Sequence, residues 1–521
     1  MQRWPLVGAL AALVVSIAGF AVIYLRGANG LPLYALDDAY IGFATARNLA
    51  QHGVWGVTRF EFSGAATSLL WPLLLAALER AIGFHTLTAF LLNVAITAGV
   101  LVSAHRIMTE SVHDAGWQAA ALIAIVVSVP LAMIPFIGME HGLQCLLVLV
   151  AASAGTRAAV TPPGPRRVRL VATTAVAAAL GVATRYDTAS VVAGLVVVLA
   201  ATIGWHAALA VAAAAVAATL PYAFVAHQHG WPMVPIAIVQ KSRVFDLPFS
   251  ASGVLSMAKE TARVAVHAPS VTALIAAAAV LLVFMRPGRD TVERRAWLVT
   301  FLIAALLHLQ FGRIEWPHRY EMYLLALGIV AVARALPGGA WRLPAPRPAV
   351  LAVATLVMLL PLASRAVDVH RDIADAVRFF YAHEYQHGMF LRAHKPEGAV
   401  MVVDLGGPAF YSDARIVDLG GLGSLDVVQR LAGGQPLTAD IMRDVAAADH
   451  VTVGMDLDEL PVPREWTPIG DWKSRYGNTS FFAVDPADAD GLRRSLQQYA
   501  TVLPSNVELR LSGEQHGPGT R

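Results

Sequence analysis

Long apolar runs separated by short polar segments dominate this chain and restrict it to a membrane fold. A transmembrane helix needs about 20 consecutive apolar residues. Several of the runs are shorter, and boundaries read from a pattern carry a tolerance of about 2–4 residues. We therefore expect about 11 transmembrane helices. The runs that are long enough to cross, or nearly so, are 5–25, 86–105, 117–135, 141–156, 170–183, 187–204, 206–226, 271–286, 296–311, 320–336 and 348–363.

The composition excludes a soluble enzyme that carries a single anchor. The 521 residues are 56% hydrophobic and 14% charged, with a mean hydropathy of +0.57, whereas soluble chains average about 25% charged residues. The first run follows a short basic start and lacks a clear small-x-small cleavage site, so an uncleaved signal-anchor helix is expected. Cys145 is the only cysteine, which excludes an intramolecular disulfide. A polytopic α-helical membrane protein is the class that remains.

The distribution of arginines predicts the orientation. Loops 157–169 and 286–295 carry four arginines each and 334–347 carries three, which is the excess expected of cytoplasmic loops. This orientation requires that 67–82, a segment interrupted by a proline and two charges, does not cross. It fits an interfacial or re-entrant helix. The opposite face, called the outer face here, then holds 27–66, 136–140, 184–187, 227–270, 312–319 and all that follows residue 363.

The pattern changes near residue 364. Short Val-rich strands separated by Gly and Asp alternate with helical patterns, as in "VMVVDLGGPAFYSDARIVDLGG", and this alternation is typical of a small α/β domain. We therefore predict a transmembrane domain over 1–363, an extracytoplasmic α/β domain over 364–512 and a disordered tail over 513–521. No internal repeat supports an inverted-repeat transporter.

The first outer loop, 27–66, contains two adjacent carboxylates, Asp37 and Asp38, at the start of a helical pattern. An Asp at a helix N-cap accepts backbone N–H groups and meets the positive end of the dipole. Only one of the two can occupy the cap. In a partly dehydrated cavity a carboxylate could instead act as a general base toward an acceptor hydroxyl. Capping and catalysis are both open from these residues alone.

Three further outer segments carry charge. Glu140 lies at a helix end, and Arg185 lies beside Asp187 between two apolar runs. An interfacial acid facing water and a local ion pair would explain these residues without any function. Lys241 and Arg243 are cations on the face where the positive-inside bias disfavours them. They suit a phosphate partner, and snorkelling to lipid headgroups is the alternative.

The segment "FGRIEWPHRYEMY", residues 311–323, has the highest density of charge. An interfacial belt explains its aromatic residues, but charges at membrane depth usually mark a site. Five polar groups in five segments thus fall on one face, where acids could serve a hydroxyl nucleophile and cations a phosphate leaving group. The candidates contributed by this last segment are Glu315, Arg319 and Tyr320.

The sequence lacks the motifs of several other classes of enzyme. An HExxH zinc motif, a P-loop and a G-x-S-x-G elbow are all missing from the sequence. The "HQH" at 227–229 has no third ligand nearby and is weak support for a metal. Nothing in the sequence indicates nucleic-acid binding.

Taken together, the motifs resemble those of the GT-C-fold membrane glycosyltransferases, nearest to the branch of terminal arabinofuranosyltransferases. "SGAATSLLWP" is similar to the second motif of that branch, and "GME" at 138–140 matches the third. "TRYD" keeps Thr184 and Arg185 but has Tyr-Asp where Pro-Glu is usual. Lys241 keeps its spacing in a loop motif. Arg319 and Tyr320 match the last motif, in which Glu315 stands where an Asp is usual. The first motif matches most closely, at Asp37, Asp38, Ala39, Tyr40, Ile41, Ala46, Arg47 and Asn48.

The resemblance implies an enzyme that uses a polyprenyl-phosphate-linked sugar on the outer side of the bacterial inner membrane, with inverting-type or related transfer to a glycan, lipid or protein acceptor. It implies that Asp37 is the acceptor-activating base, with Glu140 also at the catalytic centre. Asp38 would orient the acceptor or hold a divalent cation, the only cofactor under consideration. Substrate binding would fall to Tyr40, Arg47, Arg185, Lys241, Glu315, Arg319 and Tyr320.

Two other functions stay open from the sequence. A transporter or flippase of lipid-linked sugars predicts charged residues in mid-span, and few are found because the charges cluster at helix ends. A non-catalytic envelope or motility assembly protein on a transferase scaffold is compatible with the weaker later motifs. Turnover, translocation or neither, measured with a labelled lipid-linked sugar, would separate the three.

Overall fold

The computed structural model describes residues 3–83, 85–241, 251–286, 288, 291–314, 318–336, 348–431, 436–458 and 460–513. The first part of the described chain is helical. Its helices are α1 (Trp4–Gly27), α2 (Asp37–His52), α3 (Leu70–Ile82), α4 (Thr88–Thr109), α5 (Ala115–Ser128), α6 (Ile134–Ile137), α7 (His141–Val160), α8 (Pro165–Thr184), α9 (Ala189–Thr202), α10 (Trp205–Ala217), α11 (Leu220–Gln228), α12 (Ile236–Lys241), α13 (Ala251–His267), α14 (Pro269–Phe284), α15 (Val292–Phe311), α16 (Met322–Ala335) and α17 (Pro348–Ala382).

Each apolar run of the sequence contains a helix, because a backbone without water must satisfy its polar groups internally. Five described helices are long and apolar enough to cross a membrane by length and composition, or six with one bent pair. The chain is therefore a membrane protein with several apolar helices, and the number eleven stays a prediction. The five are Trp4–Gly27, Thr88–Thr109, His141–Val160, Pro165–Thr184 and Trp205–Gln228; the pair, bent by 107°, is Ser256–His267 with Pro269–Phe284.

Helix α16 lies at the centre of the helical part. All of its residues from Met322 to Ala335 are buried, and it packs against α7, α14 and α15. A helix that is apolar on every side is stable only when neighbours surround it. The segment immediately before it, which contains Arg319 and Tyr320, is therefore held in the interior.

Helix α17 runs without interruption from Pro348 to Ala382 and passes through 363/364, where the sequence places the domain boundary. The change from apolar to charged residues near 364 falls inside this helix. It does not mark the end of the helix, because the backbone hydrogen bonds continue past it. Arg365, just beyond the expected boundary, is buried and pairs with Glu321.

The C-terminal part is a small α/β domain with one mixed sheet. Among the described residues the strand order is β2-β1-β3-β5-β4-β6, with β1 parallel to β2 and β3 and the other neighbours antiparallel. Its elements are α18 (Glu384–His394), β1 (Ala399–Val402), α19 (Gly406–Tyr411), β2 (Ile416–Asp418), α20 (Leu425–Leu431), α21 (Ala439–Ala448), β3 (Val451–Met455), β4 (Thr467–Ser474), β5 (Gly477–Ala483), α22 (Ala489–Ala500) and β6 (Val507–Leu511).

Candidate active site

The two adjacent aspartates open helix α2 and have different partners. Leu36 is the N-cap and makes no side-chain cap bond, so capping by an Asp is not the arrangement observed. The Asp37 carboxylate accepts the backbone N–H groups of Gly406 at 2.8 Å and Gly407 at 2.6 Å. The Asp38 carboxylate pairs with the guanidinium of Arg319. Successive helix residues point about 100° apart, and this separates the two roles.

Behind Asp38, two arginines flank one aromatic ring. The guanidinium carbon of Arg319 lies 5.1 Å from the ring centre of Tyr320, and that of Arg185 lies 5.3 Å from the same centre. Arg319 also donates to the Tyr320 hydroxyl at 3.1 Å. A guanidinium over an aromatic face is attracted by the ring quadrupole. Tyr320 thus brings together two cations that would otherwise repel each other.

Arg185 is held by two carboxylates. Its Nη1 donates to Glu140 at 2.9 Å and its Nη2 donates to Asp187 at 2.8 Å. Glu140 and Arg185 are 2% and 5% exposed, so breaking this pair would leave a buried charge unpaired. Glu140 precedes α7 and Arg185 follows α8, which places both at the end of this helix pair opposite to the arginine-rich loop 157–169.

A narrow cleft opens in front of this charge network. Asp38 and Glu140 line it together with the segment Ala65–Ser68, Trp71 and Met139. Trp71 belongs to α3, which begins three residues later than the 67–82 segment of the sequence prediction, and its indole donates to the Gly138 carbonyl at 3.1 Å. The cleft therefore combines two carboxylates with an apolar wall.

Gly138 makes the approach of these segments possible. Its φ is +66°, and a Cβ there would lie 2.5 Å from a ring carbon of Tyr34 and 2.8 Å from Phe43. The left-handed conformation favours glycine, and the adjacent ring leaves no room for a side chain. This glycine turns the chain directly ahead of Met139 and Glu140.

Tyr40 and Arg47 lie on other faces of α2, where the helix meets the C-terminal domain. Tyr40 is 1% exposed and stacks on Phe380 with a centroid distance of 4.4 Å. Arg47 donates to the carbonyl oxygens of Phe410 at 2.7 Å and Ala409 at 3.2 Å. These two predicted substrate-binding residues are used in domain contacts in this structure.

The remaining predicted residues fall at the limits of the described chain. Glu315 lies outside the described residues. Lys241 ends α12, and its side chain lies outside them as well. The structure thus brings together Asp38, Glu140, Arg185, Arg319 and Tyr320, and it places Asp37 beside them with its carboxylate turned to the C-terminal domain.

Asp37 lies in an acidic environment. Burial raises the pKa of its carboxyl group well above the usual range, and the neighbouring Asp404 and Asp38 raise it further. The N–H groups of Gly407 and Gly406 act in the opposite direction, because they stabilise the charged form. The carboxyl group therefore exchanges its proton in a range well above that of a free aspartate.

The partners of Asp37 in the C-terminal domain are not among the residues predicted from the sequence. A signal was present, because the tetrapeptide "DLGG" follows β1 at 404–407 and recurs at 418–421, where β2 ends. The two strands are parallel, so both tetrapeptides lie at the same edge of the sheet. At the second, the Asp418 carboxylate accepts the backbone N–H groups of Gly420, Leu422 and Gly423.

Comparison with known proteins gives the fold. Residues 372–491 match a family described as "Domain of unknown function (DUF8728)", and no curated protein matches the chain. The chain is similar to the apo oligosaccharyltransferase of Archaeoglobus fulgidus, with 12% identity and a TM-score of 0.50 over 98% of this chain and 76% of that one. ArnT from Cupriavidus metallidurans, bound to undecaprenyl phosphate, gives 12% identity and a TM-score of 0.49 over 92% and 98%. The similarity to the oligosaccharyltransferase shows that the chain has a GT-C fold.

Proposed function

We propose that this protein transfers a sugar from a polyprenyl-phosphate donor to an acceptor hydroxyl, and that Asp38 is the base that accepts the hydroxyl proton. The observation that carries the proposal is the position of Asp38 and Glu140 in one cleft, with Arg319 and Arg185 directly behind them. The GT-C fold is compatible with this reaction class. At the finer level, the sequence motifs favour the arabinofuranosyltransferase-like branch.

The reaction needs one base and one site of positive charge. The acceptor oxygen forms a bond to the anomeric carbon while the bond between that carbon and the phosphate oxygen breaks. The hydroxyl proton passes to Asp38, and polyprenyl phosphate leaves with the bonding electrons. Arg319 and Arg185 would stabilise the charge that develops on this phosphate.

The Asp38–Arg319 pair suggests an order of binding. A carboxylate that is paired with a guanidinium is a weak base, because the opposite charge lowers its pKa. A donor phosphate that competes for Arg319 would weaken the ion pair between Arg319 and Asp38. We therefore propose that the donor binds before the acceptor. Asp37 is then a positioning residue, since two N–H groups already hold its carboxylate.

We place the reaction on the outer face of the bacterial inner membrane, with 364–512 as an extracytoplasmic domain beside the site. The cleft lies at the end of α7 and α8 opposite to the loop that carries four arginines, 157–169. Cytoplasmic loops carry an excess of arginine. The acceptor class is therefore an envelope glycan, lipid or protein.

The test is a transfer assay with the full-length protein reconstituted in liposomes. A panel of labelled polyprenyl-phosphate sugars is incubated with it, and released polyprenyl phosphate is measured. Asp38→Asn is expected to lower turnover by about 10²-fold or more, the usual contribution of a general base. Asp37→Asn is expected to retain transfer and to lose stability, and Asp375→Asn, at a side chain that is 69% exposed, is the matched control.

The outcomes separate the candidate functions. Full turnover by Asp38→Asn would contradict the role of the base. Loss of turnover in Asp37→Asn with an intact fold would return that role to Asp37. Movement of the labelled lipid across the bilayer without bond cleavage would identify a flippase, and neither event with any sugar of the panel would favour an assembly protein.

A further inference from the structure

A second group of ligating side chains lies in the C-terminal domain, and its members do not line the cleft. Glu384 opens helix α18, His387 follows one turn later, and Asp456 lies directly after β3. One ligand atom from each of the three lies within 4.8 Å of the others. Residues three apart share a helix face, so α18 presents Glu384 and His387 together toward Asp456.

The group is buried, and one of its oxygens has no protein partner. Glu384 is 2% exposed and His387 is 1% exposed. Among the described residues, the Oε2 atom of Glu384 has no hydrogen-bond donor. The nearest nitrogen of the group, Nδ1 of His387, lies 3.7 Å away, which is too far for a hydrogen bond. A buried carboxylate oxygen without a donor is costly, and either a proton shared with the neighbouring Asp404 carboxyl group or a bound cation satisfies it.

A chain of hydrogen bonds orients the His387 ring. Its Nε2 lies 2.8 Å from the Thr479 hydroxyl, which lies 3.3 Å from Nδ1 of His383. His383 Nε2 lies 2.9 Å from the Ser474 hydroxyl, and that hydroxyl donates to the Gly477 carbonyl at 3.2 Å. Because the Ser474 hydroxyl donates its hydrogen to the Gly477 carbonyl, it accepts a hydrogen bond from His383 Nε2–H. By the same logic Thr479 donates to His383 Nδ1 and accepts from His387 Nε2–H.

In this arrangement Nδ1 of His387 carries no hydrogen. Its lone pair lies near the carboxylate of Glu384. Two acceptors that face each other in a buried site repel unless a proton or a cation lies between them. A ligating histidine almost always donates its second ring N–H to an outer partner, which Thr479 provides here. Asp456 is held by its own N–H, which donates to the Ser480 carbonyl at 2.9 Å.

We propose that Glu384, His387 and Asp456 form a binding site for a divalent transition metal, with Zn²⁺ as the best fit. One imidazole and two carboxylates suit Zn²⁺ and its first-row neighbours, whereas Ca²⁺ and Mg²⁺ prefer oxygen ligands only. Ligands at about 2.1 Å around a tetrahedral Zn²⁺ lie roughly 3.4 Å apart, so modest side-chain rotation closes the site. The bound metal would link α18 to the end of β3.

The site borders the contact that holds Asp37. Gly407, whose N–H binds the Asp37 carboxylate, packs against Glu384; a Cβ at Gly407 would lie 2.6 Å from the Glu384 carbonyl oxygen. A metal that stiffens α18 would therefore also stiffen the joint between the sheet domain and α2. Metal binding is nevertheless independent of glycosyl transfer and is measured without it.

The test uses the full-length protein in detergent, stripped with a chelator and then titrated with Zn²⁺. About one tightly held equivalent per chain is expected after dialysis, measured by elemental analysis. Co²⁺ in its place is expected to give d–d absorption bands. Glu384→Gln and His387→Gln are expected to weaken Zn²⁺ binding by about 100-fold or more, and Thr479→Val by about 10–100-fold, the usual cost of losing an outer partner.

A histidine on the same helix provides the control. His394 bonds to the Ser495 hydroxyl at 2.8 Å and lies outside the group, so His394→Gln is expected to bind Zn²⁺ as the wild type does. The elution profile of each variant establishes that it is folded. Wild-type protein that binds no more Zn²⁺ than Glu384→Gln, or Co²⁺ bands that survive in His387→Gln, would overturn the proposal.

Discussion

The joint between Asp37 and the C-terminal domain depends on Gly406. A Cβ at this position would lie 2.3 Å from the Asp37 carbonyl oxygen and 2.6 Å from its Oδ1. No side chain fits at these distances, so Gly406→Ala must move the two segments apart. The movement would remove or lengthen both N–H bonds to the carboxylate, at Gly406 and at Gly407.

The magnitude follows from the bonds that are lost. A hydrogen bond contributes about 0.5–1.5 kcal/mol to a neutral group and about 1.5–3 kcal/mol to a charged one, so two bonds to Asp37 correspond to about 1–6 kcal/mol. For a unit of about 150 residues, a loss of about 3 kcal/mol lowers the melting temperature by roughly 6–12 °C. The loss should be specific to the joint, because the substitution introduces only one methyl group.

Thermal unfolding in detergent measures this effect, and Gly491→Ala is the matched control. A Cβ at Gly491 meets no atom within 4 Å, and Gly491 lies in the first turn of α22. Alanine there is expected to leave the stability unchanged or to raise it by up to about 0.5 kcal/mol. In an Asp37→Ala background, Gly406→Ala should cost less than it does alone, because the two residues share one contact. Equal melting temperatures for Gly406→Ala and Gly491→Ala would show that the contact between Asp37 and Gly406 does not stabilise the protein.

Three further perturbations follow from buried polar groups, each measured by the same thermal unfolding. Arg185→Met leaves Glu140 buried and unpaired, so it should cost about 3–5 kcal/mol, and a loss below 1 kcal/mol would contradict the pair. Asp418→Ala leaves three backbone donors unsatisfied and should cost about 3 kcal/mol or more, whereas the exposed Asp413→Ala should stay within about 0.5 kcal/mol. Burial lowers the pKa of His383 to about 4, so the unfolded chain binds more protons and stability should fall as pH drops from about 6.5 toward 4. His383→Gln should reduce this loss of stability at low pH. A pH profile identical to that of the wild type would contradict the role of His383.

Much of the architecture could be predicted from the sequence. An apolar run in lipid has one way to satisfy its backbone within the segment, so apolar runs became helices. Val-rich stretches between Gly and Asp became the strands β1, β2 and β3. The residues that form the charge network, Asp38, Glu140, Arg185, Arg319 and Tyr320, were also identifiable, because charged groups at apolar helix ends are unusual enough to stand out.

The end of α17 and the role of the C-terminal domain could not be predicted in this way. A change of composition near 364 reads as a boundary, yet the helix continues to Ala382. The group formed by Glu384, His387 and Asp456 joins a helix to the end of a strand about 70 residues further along the chain. No local spacing motif describes such a group, because its geometry exists only after the sheet has formed.

The sequence by itself determined that two carboxylates begin α2 and that cations lie in other segments on the same side of the apolar runs. Only the tertiary structure decided which carboxylate does what. Asp37 and Asp38 are neighbours with the same chemistry, and a helix turns them about 100° apart. The partner of one is a glycine pair about 370 residues away, and that of the other is Arg319. Contacts between residues so far apart in the sequence depend on packing. For this reason our proposal assigns the base to Asp38, whereas the sequence motifs alone favour Asp37.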